Sequence, residues 1–364
     1  MYTFSSKLKT FSLILMAVGL LGIGYGFYTA PKDIKEVEAL LAAESHGGHA
    51  AVKHEATEAH DTKAEAPIEK GHEAADAHEA DQSHEMKAEA PIEKAHEATE
   101  THEGDAHAEH EAHLTHVLHQ LQNKPWAALY VACIFFLLIS MGTLAFYAIQ
   151  QVAQAGWSPV LFRVMQGITA YLPVGSVLFF VFLILSGLHF NHLFVWLGEG
   201  VTDPTSANYD HIIAGKAGYL NFPFWIVRAA IFLLGWNAYR YYSRKNCLAQ
   251  DEADDNLNYK KNFKMSAGFL VFFIVSESIM SWDWIMSIDP HWFSTLFGWY
   301  VFASFFVSGI TMIAMVTLYL KSKGYLEHVN TSHIHDLAKF MFGISIFWTY
   351  LWFSQFMLIW YSNI

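Results

Sequence analysis

The feature that most constrains this chain is a close succession of hydrophobic runs in its C-terminal two thirds. Each run is long enough to cross a bilayer core of about 30 Å at about 1.5 Å per residue of helix. Backbone groups inside a bilayer must be paired within their own segment, so the pattern predicts an all-α integral membrane protein, a transmembrane helix bundle. The runs lie at about 126–149, 170–196, 219–239, 266–287, 296–320 and 336–360.

A further apolar run lies at the N-terminus, over residues 11–30, and two lysines precede it. A secretory signal is the alternative interpretation, but Tyr28 and Pro31 suit cleavage between residues 30 and 31 poorly. We therefore expect residues 1–30 to form an uncleaved membrane anchor, which brings the predicted number of spans to seven.

Residues 31–124 have a different composition. They hold 22 of the 34 acidic residues and 14 of the 21 histidines, and KAEAPIEK occurs twice, at 63–70 and 87–94. With almost no aromatic or branched apolar residues, this segment cannot bury a core, so we expect a solvated, disordered, partly helical tether. An alternative to a pH-responsive acidic tether is weak binding of zinc or copper by its histidines.

Charge in the loops predicts the orientation. The connection after the 219–239 run carries six Lys or Arg residues, whereas the connection between the 266–287 and 296–320 runs carries none. The positive-inside rule then places the N-terminus in the cytoplasm and the tether on the outer face of the membrane.

Ionisable groups within a span are expensive and are therefore functional candidates. At 100° per residue, Ser276, Glu277, Ser281, Asp283 and Ser287 fall within an arc of about 160° on one helix. We expect this face to point into a polar interior, where it suits a proton relay or a quinone headgroup. The alternative is a pair of carboxyls that neighbouring helices satisfy near the membrane surface.

Three basic residues complete the candidate set for a proton path or quinone site. Arg228 lies inside the 219–239 run and is a partner for Glu277 or Asp283, unless its side chain snorkels to the interface. His189 and His192 are predicted to share a helical face at the end of the 170–196 run, where they could accept a quinol proton. Interfacial histidines without such a role are the alternative. No catalytic residue is predicted.

The sequence predicts no metal or haem site. Outside the tether, histidines fall at span ends or in loops, so no pair on facing helices can ligate haem or copper. Cys133 and Cys247 form no zinc motif, disulfide framework or c-type haem attachment. A quinone is the one cofactor considered, and no motif points to nucleic acid.

Long aromatic-rich stretches carry a family resemblance. Four stretches resemble a membrane subunit of bacterial alternative complex III: SWDWIMSIDPHWFSTLFGWY at 281–300, HDLAKFMF at 335–342, FWTYLWFSQFMLIWYSNI at 347–364 and MYTFSSKLKTFSLILMAVGLLGIGYGFY at the start. The similarity is to the second of its two large polysulfide-reductase-like subunits, often labelled quinone-binding subunit 2, and covers roughly residues 125–364 and the N-terminus.

The resemblance implies a role in a respiratory quinol:cytochrome c oxidoreductase. It implies partners that hold the redox centres: a sister membrane subunit, an iron–sulfur subunit, c-type cytochrome subunits and a terminal oxidase. It also implies about ten spans in two four-helix bundles with flanking helices. On that basis we expect 125–290 to be the first bundle and 291–364 the first half of the second, in a sequence truncated after the seventh span.

Two other functions remain open at this stage. Polar residues in the spans and a His-rich tether also suit an independent transporter or ion channel that metal or pH regulates through the tether. The third interpretation is a structural subunit without a proton or quinone role.

Overall fold

The computed structural model describes residues 5–43, 97–206 and 208–362, and the regular structure in these ranges is helical, without strands. Both copies of KAEAPIEK lie outside the described residues. Ten α-helices occur in the described ranges: α1 (Ser6–Thr29), α2 (34–43), α3 (Glu97–Val152), α4 (Phe162–Ile168), α5 (Leu172–Gly187), α6 (His211–Lys216), α7 (Phe222–Asp251), α8 (Leu257–Met280), α9 (Phe297–Ser322) and α10 (Thr331–Ser362).

Six helical segments of the described residues are long and apolar enough to cross a membrane: Ser6–Thr29, His113–Val152, Pro159–Gly187, Leu257–Ile288, Phe297–Ser322 and Thr331–Ser362. They confirm the prediction of a multi-pass helical membrane protein. The run expected at 219–239 falls in α7, which has 30 residues but is not among the six. Arg228 and Asn237 lower the mean hydropathy of its apolar half, so the count of seven spans stays a prediction.

The chain divides into two compact units, Met1–Thr29 with Asn123–Ile364 and Ala30–Gln122. The second unit contains α2 and the first part of α3, and in it the Gln122 amide donates a hydrogen bond to the carbonyl of Pro31 (3.1 Å). Residues 97–122 of the predicted tether are therefore helical, in keeping with their many alanines and glutamates. Both predicted bundle ranges, 125–290 and 291–364, fall within the first unit.

Connections in the first unit lie at two ends of the helices. The loops 188–221 and 286–296 lie at one end, here called the loop end, and the Asp210 and His291 side chains meet there. The turns 153–161, 252–256 and 323–330 lie at the other end, here called the turn end.

Helix α5 ends earlier than the hydrophobic run predicts. The Phe190 N–H donates to the Leu185 carbonyl (3.1 Å), the His189 N–H donates to the Ser186 carbonyl (3.1 Å), and His189 has a left-handed φ of 61°. This pattern is a Schellman motif, which closes a helix. His189 and His192 therefore lie beyond the helix, and the prediction that they share a helical face is wrong.

The core of the first unit is aromatic. Trp225, Trp236 and Trp284 are fully buried, and Trp284 contacts Trp236 and Phe179 with ring centroids 5.8 and 4.7 Å apart. These contacts join α5, α7 and the end of α8, and they fix the positions of the polar side chains beside them.

Helices α3 and α9 cross at two glycines. A Cβ atom on Gly142 would lie 2.4 Å from the Phe305 carbonyl oxygen, and one on Gly309 would lie 2.7 Å from the Thr143 nitrogen. Only glycine permits this backbone approach, which is the usual role of small residues between membrane helices.

Candidate functional site

Helix α8 changes geometry where the candidate site begins. It continues into a π-helical turn at Ser281–Ile285 and then a 3₁₀ turn at Met286–Ile288. The Asp283 carbonyl accepts hydrogen bonds from the Trp225 indole (2.9 Å) and the Ser287 hydroxyl (2.6 Å). These side chains pair a backbone group in this irregular turn. Turns of this kind occur mostly as single interruptions of α-helices, often at functional sites.

The predicted polar face of α8 is buried. Ser276, Glu277, Ser281, Asp283 and Ser287 are each at most 4% exposed. On the opposite side, Val275 is 56% exposed. The side of the helix that carries these polar residues is therefore the buried one, and it packs in an aromatic core.

Arg228 forms a buried ion pair with Asp283. Its Nε lies 2.6 Å from Oδ2 and its Nη2 lies 3.0 Å from Oδ1, a two-point contact, and the side chains are 8% and 0% exposed. The structure therefore pairs Arg228 with the second of the two predicted carboxylates. A snorkelling arginine would instead extend its guanidinium into water.

The remaining surface of the Arg228 guanidinium is also occupied. Two of its nitrogens donate to the Tyr219 carbonyl (3.3 and 3.2 Å), and the rings of Tyr219 and Phe224 lie 4.1 and 4.2 Å from its central carbon. Burial, followed by the charge of Asp283, raises the pKa of the Tyr219 phenol. The cation thus lies against two mutually perpendicular aromatic rings at the loop end.

Glu277 has a different environment from Asp283. It is 2% exposed, and its Oε1 accepts a hydrogen bond from the Ser278 hydroxyl (3.0 Å). Its Oε2 is buried without a hydrogen-bond partner among the described residues, and no cation within them pairs with it. Ser276, one residue away, accepts a hydrogen bond from the Trp236 indole (2.9 Å). We call Arg228, Ser276, Glu277 and Asp283 the carboxylate layer.

A second polar group lies toward the turn end, and the sequence reasoning missed it. The Tyr147 hydroxyl accepts hydrogen bonds from the side-chain amides of Gln151 (3.0 Å), Asn262 (3.3 Å) and Gln166 (3.4 Å). All four residues are at most 7% exposed. We call them the amide cluster. The signal was present, because neutral amides interrupt or border the apolar runs, whereas the predicted site residues were ionisable ones.

The amide cluster contains unsatisfied acceptors. The Oε1 atoms of Gln151 and the neighbouring Gln150 are buried without a hydrogen-bond partner in the described part of the chain. Buried polar groups are nearly always paired with protein or ordered water. The cluster therefore provides sites where water or a proton donor would be stabilised.

Aromatic side chains separate the two polar groups along α8. Phe269 and Phe273 are buried between Ser266 and Ser276, which lie about 15 Å apart at the rise of a helix. Tyr239 stacks on Phe269 with centroids 3.9 Å apart, and its hydroxyl meets the Ser266 hydroxyl at 2.7 Å. We call Tyr239, Phe269 and Phe273 the aromatic layer.

The two predicted histidines do not join the buried groups. His189 and His192 are exposed in the loop after α5, and the His192 backbone N–H donates to the Asn123 side chain (2.9 Å). Within the described ranges, no group of three or more His, Cys, Asp or Glu residues is placed to hold a metal ion.

The fold and these contacts define a multi-pass helical membrane protein whose described interior contains a buried ion pair, a carboxyl with no cation beside it and an amide cluster. Neither protein-family models nor curated proteins give a match to this chain. Chemically, the arrangement can hold a proton at Glu277 and a fixed charge pair at Arg228 and Asp283.

Proposed function

We propose that this chain is a membrane subunit of a respiratory quinol:cytochrome c oxidoreductase of the alternative complex III type, and that it conducts protons. The observation that carries the proton role is Glu277, a buried carboxyl in the apolar half of α8 without a cation beside it among the described residues. The redox centres would belong to the iron–sulfur and c-type cytochrome subunits, beside a sister membrane subunit, in a bacterial inner membrane with the tether in the periplasm.

The cost of burying charge supports the proton role. An unpaired carboxylate taken out of water costs several kcal/mol or more, so Glu277 is stable at rest as the neutral acid. Asp283 instead has Arg228 and stays ionised. Glu277 can therefore accept and release a proton when water or a neighbouring polar group reaches its Oε2, whereas the ion pair keeps a constant charge.

The position of the site supports the respiratory part of the proposal. The stretch 281–300, one of the sequences that carry the resemblance, also contains the π-helical turn and Asp283. The same residues thus account for the resemblance and for the irregular helix beside the ion pair.

Isolation of the full chain from native membranes tests the respiratory assignment. The tagged chain is solubilised gently and purified. A reduced-minus-oxidised spectrum then detects haem, and a quinol:cytochrome c assay measures activity. Co-purified c-type haem with quinol-dependent activity is expected. A stable, colourless and inactive preparation would reject the assignment and favour an independent transporter.

A hydrophobic carbodiimide tests the protonation state of Glu277. Such reagents couple to protonated carboxyls in apolar surroundings, so mass spectrometry should find the adduct on Glu277 and not on Asp283. Glu277→Gln should abolish this labelling and, in the assembled complex, lower proton release per electron. The matched control is Glu327→Gln, at an exposed glutamate in the turn before α10. Unchanged proton release and turnover in Glu277→Gln would remove Glu277 from the mechanism.

A further inference from the structure

A cavity of about 540 Å³ lies at the loop end of the first unit. Its wall is mainly aromatic and apolar, with Tyr219, Trp282, Met286, Trp292 and Phe293 among the lining residues. This volume is within the range of about 300–1,000 Å³ that is typical of ligand sites. Trp and Tyr side chains are enriched at the depth where lipid headgroups meet the hydrocarbon core.

Lys216 brings one positive charge to this cavity. Of the described residues that line the cavity, Lys216 is the one with a charged side chain. Its Nζ donates to the Pro290 carbonyl (2.5 Å) and lies 5.4 Å from the centroid of the Phe293 ring. An ammonium group has three donors, so two N–H groups remain for an anionic ligand. The carbonyl contact fixes the head of an otherwise flexible side chain at the cavity.

We propose that this cavity binds one phospholipid, with its phosphate on Lys216 and its glycerol and upper acyl chains against the aromatic wall. A phosphate satisfies the remaining ammonium donors, and a charge-assisted hydrogen bond to phosphate is stronger than a neutral one. Free inorganic phosphate would gain the Lys216 contact alone, because the rest of the wall is apolar. An amphiphile matches both parts of the site.

The cavity also contacts the carboxylate layer through Tyr219. One side of this residue belongs to the cavity wall, while its ring and carbonyl hold the Arg228 guanidinium. Ser287, another lining residue, donates to the Asp283 carbonyl. A bound phospholipid would therefore support the residues that hold the ion pair, although the inference does not depend on the proposed respiratory function.

Two substitutions test the site in different ways. Lys216→Gln removes the charge, whereas Gly218→Leu adds a bulky side chain at a position of the cavity wall where a Cβ atom meets no atom within 4 Å. Lys216→Arg is the conservative variant. Lys323→Gln is the matched control, since Lys323 also lies near an aromatic ring, at 5.9 Å from Tyr319, but is not among the residues of the cavity wall.

The experiment uses the full chain after extensive detergent washing, with bound phospholipid measured by native mass spectrometry. The wild type, Lys216→Arg and Lys323→Gln should retain one more phospholipid per chain than Lys216→Gln and Gly218→Leu. For the charge variant we expect affinity to fall about tenfold or more, as for a lost charge-assisted contact. Equal retention by all five proteins, or no retained phospholipid in the wild type, would overturn the proposal.

Two further measurements keep the test decisive. Excess inorganic phosphate should leave the retained phospholipid in place, and displacement by phosphate would reject an amphiphilic ligand. If both cavity variants fail to fold, the wild type can be photo-crosslinked in nanodiscs of phosphatidylethanolamine and phosphatidylglycerol that contain a diazirine phospholipid. Adducts on Trp292 or Phe293 are expected, and adducts confined to residues outside the cavity would overturn the proposal.

Discussion

Replacement of Arg228 by methionine tests the energetic role of the buried ion pair. Methionine keeps an unbranched apolar side chain but removes the two-point contact with Asp283 and both hydrogen bonds to the Tyr219 carbonyl. Asp283, which is 0% exposed, is then left as a buried charge without a cation. Removing one partner of such a pair costs about 3–5 kcal/mol, and we expect the free energy of unfolding to fall by that amount.

The Arg163–Asp251 pair provides a matched control at the turn end. Its side chains are 41% and 60% exposed, so water screens the attraction. Arg163 Nη1 also donates to Gln166 Oε1 (2.7 Å), and Arg163→Met removes this hydrogen bond together with the ion pair. Arg163→Met should therefore lower the free energy of unfolding by about 1–2 kcal/mol. The expected loss at the exposed pair is thus smaller than at the buried pair.

A double-mutant cycle separates the pair interaction from other effects of Arg228→Met. Asp283→Leu removes the carboxylate but leaves the backbone carbonyl that Trp225 and Ser287 contact. Since the double variant contains no unpaired charge, its loss should be smaller than the sum of the single losses by at least about 1 kcal/mol.

Unfolding in mixed micelles by increasing mole fractions of sodium dodecyl sulfate, followed by far-UV circular dichroism, measures these differences. The reasoning would be refuted if Arg228→Met cost no more than Arg163→Met and the double variant showed simple additivity. That result would mean that water reaches Asp283 in the folded protein.

Two further predictions concern the helix crossing and the loop end. Gly142→Ala should lower the free energy of unfolding by about 1–3 kcal/mol, because the new Cβ would meet the Phe305 carbonyl at 2.4 Å, whereas Gly343→Ala in open space should be neutral or stabilising in the same assay. The pKa of the Asp210 carboxyl is lowered by backbone N–H groups that donate to it and, to a smaller extent, by its contact with His291. The ionised carboxylate therefore stabilises the loop at neutral pH. This stabilisation is lost as the carboxylate is protonated, below about pH 4. Below that pH, hydrogen exchange at the start of α6, corrected for intrinsic rates, should accelerate in the wild type. In Asp210→Asn the corrected exchange rate should not change in the same pH range.

Some of this architecture follows directly from sequence periodicity. The buried face of α8 was predictable because helical geometry fixes which side chains share a side, and Glu277 and Asp283 are conspicuous in an apolar run. The partner of Arg228 was not, since its choice between two carboxylates depends on how α7 packs against α8 and its π-helical turn. A single irregular turn changes the direction of every side chain after it.

Other features had weaker signals. Helix α5 ends at a left-handed His189 rather than at a glycine, so the end of the helix depends on hydrogen bonds that composition does not show. The amide cluster escaped prediction because Gln151 and Asn262 carry no charge and lie near the ends of hydrophobic segments. Their importance becomes evident only when three helices bring their amides to the hydroxyl of Tyr147.

The aromatic layer has an electrical consequence. In a membrane that carries a potential, a charge that moved between the two polar groups would have to pass the buried rings of Phe269 and Phe273, which lie within the about 15 Å between Ser266 and Ser276. That length is half of a hydrocarbon core of about 30 Å. In a uniform field the crossing would therefore couple to about half of the about 2.3 kcal/mol that 100 mV supplies to an elementary charge across the whole membrane.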